Sequence, residues 1–257
     1  MTPDADEIVL SLIIPVRNDA PSIEVMTRIL SAMVRVKHEL IVVYDDPADD
    51  SVPVIARMQP AYPSLHGVLN TAGRGVLNAI RFGVTTARGK YVMIYAADEI
   101  GPVLAIDRML QLMQNGCDFV SATRYRWGGR RYGGSMLGHA LSWTANWLFV
   151  VLSASAFTDC TTGIKMFRRA IFDKLNLTGE GGGWSFAFEM GIKAQTLGLT
   201  LGEVPIVSID RLFGGQSTFR PIPWIISYSR WFLWGLKTLP PWTRPRPRLM
   251  APAIPRP

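Results

Sequence analysis

The chain reads as an α/β protein on a mostly parallel central sheet flanked by helices, and three observations carry that reading. Five apolar runs of strand length, at residues 9–14, 40–44, 65–69, 91–95 and 119–122, alternate with segments of helical period at 23–34, 76–86 and 103–113. Such alternation calls for parallel strands joined by helical crossovers. The runs are apolar at successive positions, as strands covered on both faces must be. Each is followed by polar or charged residues, and the carboxyl ends of strands are where open α/β sheets bind ligands.

The first run leads through Pro15 to Arg17, Asn18 and Asp19, the second to Asp45 and Asp46, and the third to Arg74. The fourth, YVMIYAADEIGP, delivers Asp98 and Glu99 from an apolar strand. Two readings are open there. Acidic residues favour the positive end of a following helix, or they form a metal or phosphate site at a strand tip. The fifth run ends at Arg124, so five consecutive strand ends carry charge and point to one shared cleft.

Beyond Thr123 the pattern changes. A basic glycine-rich loop, RYRWGGRRYGGS, contains Arg131 and Ser135 and precedes an uncharged run over 137–158, read as a helix lying at an interface. From Pro223, PWIISYSRWFLWGLKTL places Ser227, Arg230, Trp234 and Lys237 at helical spacing. Trp224, Ile225, Tyr228, Trp231, Phe232 and Leu236 are left over a broad apolar face, the pattern of an amphipathic helix in the plane of a membrane; a helix packed on the core is the alternative. Residues 1–220 are thus expected to form one domain, 221–240 an amphipathic interfacial helix, and 241–257 a basic proline-rich tail that is extended or disordered.

With 257 residues, 48% of them apolar, the chain can bury a full core. Lys and Arg outnumber Asp and Glu by 27 to 20, and no acidic residue follows Asp210, so the late segment is drawn to polyanions. The turn after the first strand, PVRNDAP, has no GxGxxG, and no GxxxxGK[ST] occurs, which removes dinucleotide and P-loop sites. Cys117 and Cys160 make neither a ligand cluster nor a disulfide framework, and His38, His66 and His139 are scattered without metal spacing. The acidic start MTPDADEIVL is unlike a signal peptide, so a cytoplasmic protein is expected. A nucleic-acid module would interleave basic and aromatic residues on one surface; here the aromatics fall on the helices, and no nucleic acid is expected.

In order along residues 9–220, SLIIPVRND, ELIVVYDDPADDS, NTAGRGVLNAIRFGV, AADEIGP, SATRY, DCTTGIKMFRR, FEMGIKA and EVPIVSIDRLFGGQST resemble the family 2 glycosyltransferases of GT-A fold. More closely, they resemble the dolichol- and polyprenyl-phosphate sugar synthases. The resemblance implies an inverting enzyme moving a sugar from a nucleoside-diphosphate sugar to a polyprenyl phosphate. It would work peripherally at the cytoplasmic membrane face, alone or beside a small membrane partner. Pro15, Arg17, Asp19, Asp46, Arg74 and Asp98 would bind the nucleotide sugar. Asp98, helped by Glu99, would hold Mg²⁺ or Mn²⁺. Asp98, Asp159 and Arg211 would stand at the reacting centre, and Arg124, Arg131, Ser135, Arg211 and Ser217 would meet the acceptor phosphate. One departure stands out: Ala96 occupies the place of the family's first Asp, which weakens the expected metal site. Two other readings stay open on the sequence. One is a family 2 transferase with a soluble, protein or polysaccharide acceptor, and the other is a noncatalytic nucleotide-sugar-binding scaffold.

Overall fold

The computed structural model describes residues 7–179, 183–209, 221–242 and 249–250. Its first half runs β1 (Leu10–Val16), α1 (Ala20–Met33), β2 (His38–Tyr44), α2 (Ser51–Met58), β3 (Leu65–Leu69), α3 (Val76–Thr86), β4 (Tyr91–Ile94), α4 (Ile106–Gln114) and β5 (Phe119–Thr123). The second half runs β6 (Arg130–Tyr132), α5 (Met136–Leu152), β7 (Lys165–Arg168), α6 (Phe172–Leu175), α7 (Phe186–Thr196), β8 (Leu201–Pro205), β9 (Val207–Ile209), α8 (Pro221–Thr238) and β10 (Leu249–Met250).

Eight strands form the main sheet in the order β10-β8-β5-β7-β4-β1-β2-β3, and β6 pairs with β9 in a small second sheet. All main-sheet pairs are parallel except those of β7, which runs antiparallel to both β4 and β5. The five expected strands are all present. Successive residues of β1 bury to opposite sides, Leu12 and Ile14 with α1, α2 and α4, and Ile13 with α3, α5, α7 and α8. That two-sided burial is why the strands read as continuous apolar runs.

Several features were not legible. The short helix α2 carries Pro53 in its first turn, and β6, RRY, and β9, VSI, are only three residues long. The orientation of α8 differs from the outward aromatic face read above: Trp231 is buried, Tyr228 and Phe232 pack on Phe188 of α7, and Phe149 of α5 meets Phe232 at 5.6 Å between ring centres. Ile225, Ile226 and Leu233 face outward instead. Helical period specifies a stripe, and here α5 and α7 supply an apolar neighbour for the aromatic one.

Candidate active site

Chain order reverses between β1 and β4, since β1 leads to β2 and β3 on one side while β4 lies on the other. A crevice outside the strand ends opens at such a reversal. On the β1 side, the loop after β2 grips the loop after β1. Asp49 Oδ2 accepts from the Asn18 N–H at 2.8 Å, Ser51 Oγ from the Asp19 N–H at 3.2 Å, and Asp50 Oδ1 from the Ala20 N–H at 3.1 Å. Asn18 adopts the left-handed region, φ 53°. Burial pushes the Asp19 carboxyl up; a hydrogen bond from Ser22 opposes this and the charges of Asp50 and Asp49 add to it. Asp45 accepts from Asn70 Nδ2 at 2.7 Å and from the Gly75 N–H at 2.8 Å, where Gly75 takes φ 111° to turn its amide toward β2. Beside it, Asp46 accepts from exposed Arg74 at 3.2 Å. Arg17, Asp19, Asp46 and Arg74 therefore stand on neighbouring loops, with Pro15 at the end of β1.

On the β4 side, Tyr95 still donates to Ile13 O at 2.9 Å, and then the strand stops. The Glu99 N–H donates to Ala96 O at 3.2 Å, closing a turn that carries Asp98 and Glu99. Asp98 thus hangs from a turn beyond the strand tip, and Ala96 and Asp98 do not share a strand face. The turn is held close to β9: a Cβ on Gly101 would lie 1.5 Å from Val207 O, so only glycine fits there.

A cavity of about 520 Å³ opens beside this turn, with Asp98, Glu99, Arg124, Arg131 and Ser135 in its polar wall and Leu141, Leu148, Ile225 and Phe232 from α5 and α8 in its apolar wall. Pro15, Arg17, Asp19, Asp46 and Arg74 do not line it. The sequence-derived residues therefore divide into two halves, with the acidic turn between them in sheet order. Arg211 and Ser217 lie outside the described residues.

Arg124 of the cavity wall is gripped from behind by Asp159, which does not itself line the cavity. Nε donates to Oδ2 at 2.7 Å, Nη2 to Oδ1 at 2.9 Å, and the Arg124 N–H to Oδ2 at 3.1 Å. Asp159 is fully buried and also accepts from the Thr161 and Thr162 N–H groups. Burial pushes its carboxyl up, and the Arg124 charge and hydrogen bonds more than offset that, holding it below the ordinary range. A carboxylate so saturated is a clamp on Arg124: with Thr161 it occupies Nε and Nη2, which leaves the Nη1 hydrogens as the donors for a phosphate oxygen. Arg131 reaches the wall from β6, set by its pairing with Ser208 of β9.

Behind this pair lie charged groups that sequence reasoning missed. Glu203 accepts from the Thr158 N–H at 2.7 Å, from Thr158 Oγ1 at 2.8 Å and from the Asp159 N–H at 3.3 Å. Lys165 donates to Ser121 Oγ at 3.0 Å, and both Lys165 and Glu203 are fully buried. Burial pushes Glu203 up to about 7, against its Thr158 hydrogen bonds, and pushes Lys165 down to about 8. Glu203 is ordinarily near 4.5, so its contribution to stability is full below that value and is lost as pH rises through about 7. Lys165 is ordinarily near 10.5, so its contribution is full above that value and is lost as pH falls through about 8. Glu203→Gln is expected to flatten the decline in thermal midpoint between pH 4.5 and 7; an unchanged slope would assign the decline to another group. The available signal was a lone acid inside the apolar run EVPIV, and a lone Lys opening KMF.

Among the described residues, no three His, Cys, Asp or Glu side chains are grouped to hold a metal ion, and no helix is long and apolar enough to cross a membrane. Comparison with known proteins places these features. The model of "Glycosyl transferase family 2" matches residues 11–176. The chain is 28% identical over 122 residues to the dolichol-phosphate mannosyltransferase of Pyrococcus furiosus, covering 47% of this chain and 34% of that protein. It is 27% identical over 224 residues to the dodecaprenyl-phosphate galacturonate synthase of Rhizobium johnstonii, covering 83% and 64%. Against the polyprenol monophosphomannose synthase of Mycolicibacterium smegmatis it is 27% identical over 180 residues, covering 68% of each. The chain thus spans about a third of the archaeal relative and under two thirds of the rhizobial one. In fold, it resembles glucosyl-3-phosphoglycerate synthase of Mycobacterium tuberculosis, solved with Mn²⁺, uridine diphosphate and glucosyl-3-phosphoglycerate, with TM-score 0.63 and 18% identity over 89% of this chain and 78% of that one. A crevice at the β1–β4 reversal, with an acidic turn at its centre, and a family match over most of the sheet agree: the chain belongs to glycosyl transferase family 2.

Proposed function

We propose that the protein transfers a sugar, with inversion, from a nucleoside-diphosphate sugar to a polyprenyl phosphate at the cytoplasmic face of a membrane. One observation carries this reading: the cavity beside the acidic turn is polar where Arg124 and Arg131 stand and apolar where α5 and α8 close it. A phosphate with a hydrocarbon tail fits that division. Named relatives that act on dolichol, dodecaprenyl and polyprenol phosphates support it.

In the mechanism, Pro15, Arg17, Asp19, Asp46 and Arg74 bind the nucleoside on the β1–β3 side, and the acidic turn meets its diphosphate. Asp98 and Glu99 offer hard carboxylate oxygens of the kind Mg²⁺ and Mn²⁺ take, and with Ala96 contributing none they are the residues that would hold such an ion. A divalent ion bound there would neutralise charge on the leaving diphosphate. Arg124 and Arg131, with Ser135, align the acceptor phosphate, whose second pKa of about 6 leaves it ionised near neutral pH, so little base assistance is needed. Asp159, sealed behind Arg124, acts by holding that guanidinium in place. Arg211 and Ser217 are assigned to the same acceptor phosphate by the resemblance of their segment.

The outer face of α5 supports membrane contact. This helix has no Lys, Arg, Asp or Glu, and it exposes Met136, Leu137, Val151 and the stacked pair Trp143 and Trp147, with ring centres 6.2 Å apart. Arg126, on the preceding loop, and Arg130, at the start of β6, are exposed. Apolar surface beside basic residues is what an anionic bilayer attracts. The test is a panel of nucleotide sugars incubated with polyprenyl phosphate in anionic vesicles and scored for glycolipid, with Trp143→Glu/Trp147→Glu alongside wild type. Glycolipid formation by wild type, and loss of vesicle sedimentation by the variant, are expected. Transfer only to a soluble acceptor overturns the lipid assignment, and equal sedimentation removes α5 from the membrane contact.

A further inference from the structure

Asn146 lies in the middle of α5 and is buried. Its Nδ2 donates to Ser142 O at 2.9 Å, to Thr161 Oγ1 at 2.8 Å and to Asp159 Oδ1 at 3.3 Å, while its Oδ1 accepts from the Cys160 N–H at 2.8 Å. One turn earlier, Ser142 Oγ meets Tyr125 OH at 2.9 Å, Thr161 Oγ1 at 2.9 Å and Arg124 Nη2 at 3.4 Å. Thr161 Oγ1 also accepts from Arg124 Nη2 at 2.8 Å. The two side chains are four apart, so they share one face of the helix, while Trp143 and Trp147 share another that is exposed. A buried amide costs stability unless every polar atom is paired, and this one is paired at both ends. Its partners are the two residues flanking the Arg124 fork and the backbone between them. Asn146 does not line the cavity, so it has no route to a substrate except through these partners.

We propose that Asn146 is a positioning residue for sugar transfer, seating the Asp159–Thr161 loop against α5 so that Arg124 presents its guanidinium to the cavity at a fixed distance and angle. Helix α5 then has two working faces, an apolar outer one and an inner one that sets the phosphate-binding arginine. The inference rests on the acceptor-phosphate assignment of Arg124 for its kinetic consequence, and on geometry alone for its structural one. Small displacements of a positioning group are costly, since about 1 Å of misplacement lowers a rate by roughly a hundredfold.

Two readouts separate these layers. The first is solvent exchange of the Arg124 Nε–H, followed by NMR and assigned by its loss in Arg124→Lys. The second is steady-state transfer to polyprenyl phosphate, with nucleoside diphosphate affinity measured by calorimetry. Asn146→Ala is expected to speed the exchange by more than about tenfold and lower kcat by about tenfold, leaving nucleotide affinity within about twofold, because the nucleoside loops lie on the other side of the acidic turn. Should that variant fail to fold, Asn146→Ser carries the same expectation, since its short hydroxyl can bond Ser142 O one turn back but does not reach Asp159, Cys160 and Thr161. Unchanged exchange overturns the proposal, as does faster exchange with unchanged kcat or an equal loss of nucleotide affinity. A wild type that transfers nothing to polyprenyl phosphate overturns the acceptor assignment instead, and the exchange measurement then decides the role of Asn146.

Discussion

Asp98→Asn is expected to lower sugar transfer by about a thousandfold with an unchanged thermal midpoint, the scale of losing a group that stabilises charge developing in the transition state. The substitution is nearly isosteric and removes only the negative charge. Asp98 lies on the turn closed by the Glu99 N–H and Ala96 O, in the cavity wall beside Glu99 and Arg124. Ala96 offers no carboxylate, so the charge at Asp98 has fewer substitutes than a paired site would provide. Steady-state assays with titrated Mn²⁺, together with a melting curve, check the result. Wild-type turnover by Asp98→Asn, or full turnover by wild type in excess chelator, would reduce the acidic turn to a feature of the helical segment that follows it.

The second large effect is on stability as well as rate. Asp159→Ala leaves the Arg124 guanidinium, 9% exposed at its side chain, without its bidentate partner. Breaking a buried pair from one side costs about 3–5 kcal/mol, a fall in thermal midpoint on the order of 10 °C for a chain of this size. Transfer is expected to fall with it, because Arg124 loses its fixed orientation. The informative companion is Arg124→Leu/Asp159→Leu. Replacing both charges by apolar side chains should recover much of the stability and none of the transfer. Calorimetric melts and activity assays on the three proteins check this; a double variant that regains activity would show that Arg124 takes no part in transfer.

Much of this architecture was readable because parallel strands buried on both faces leave continuous apolar runs. The five runs became β1 to β5, and the charges after them came to lie at adjacent loops. What escaped has physical reasons. Strand β7 opens with buried Lys165, which breaks the apolar run that would have announced it, and β6 and β9 are too short to show a period. The aromatic stripe of α8 was visible in PWIISYSRWFLWGLKTL, but whether it met lipid or protein depended on α5 and α7, whose positions only the fold determines. The resemblance singled out Asp159, whereas the seven hydrogen bonds its carboxylate accepts from Arg124, Asn146, Thr161 and Thr162 were not legible. Ser142 and Asn146 carried a weak signal, two polar residues four apart in an uncharged helix.

The single antiparallel strand also governs the order in which the chain can assemble. Residues 10–94 hold β1 to β4 with their parallel pairings complete, and that unit can gather as soon as it leaves the ribosome. One of its two borders is β4, YVMI, four apolar residues, and the strand that covers it arrives only at Lys165–Arg168. Until then β4 is an open edge with every feature that invites pairing between molecules: apolar side chains, no charge and no proline. A fragment ending before Lys165 would carry this uncovered border permanently.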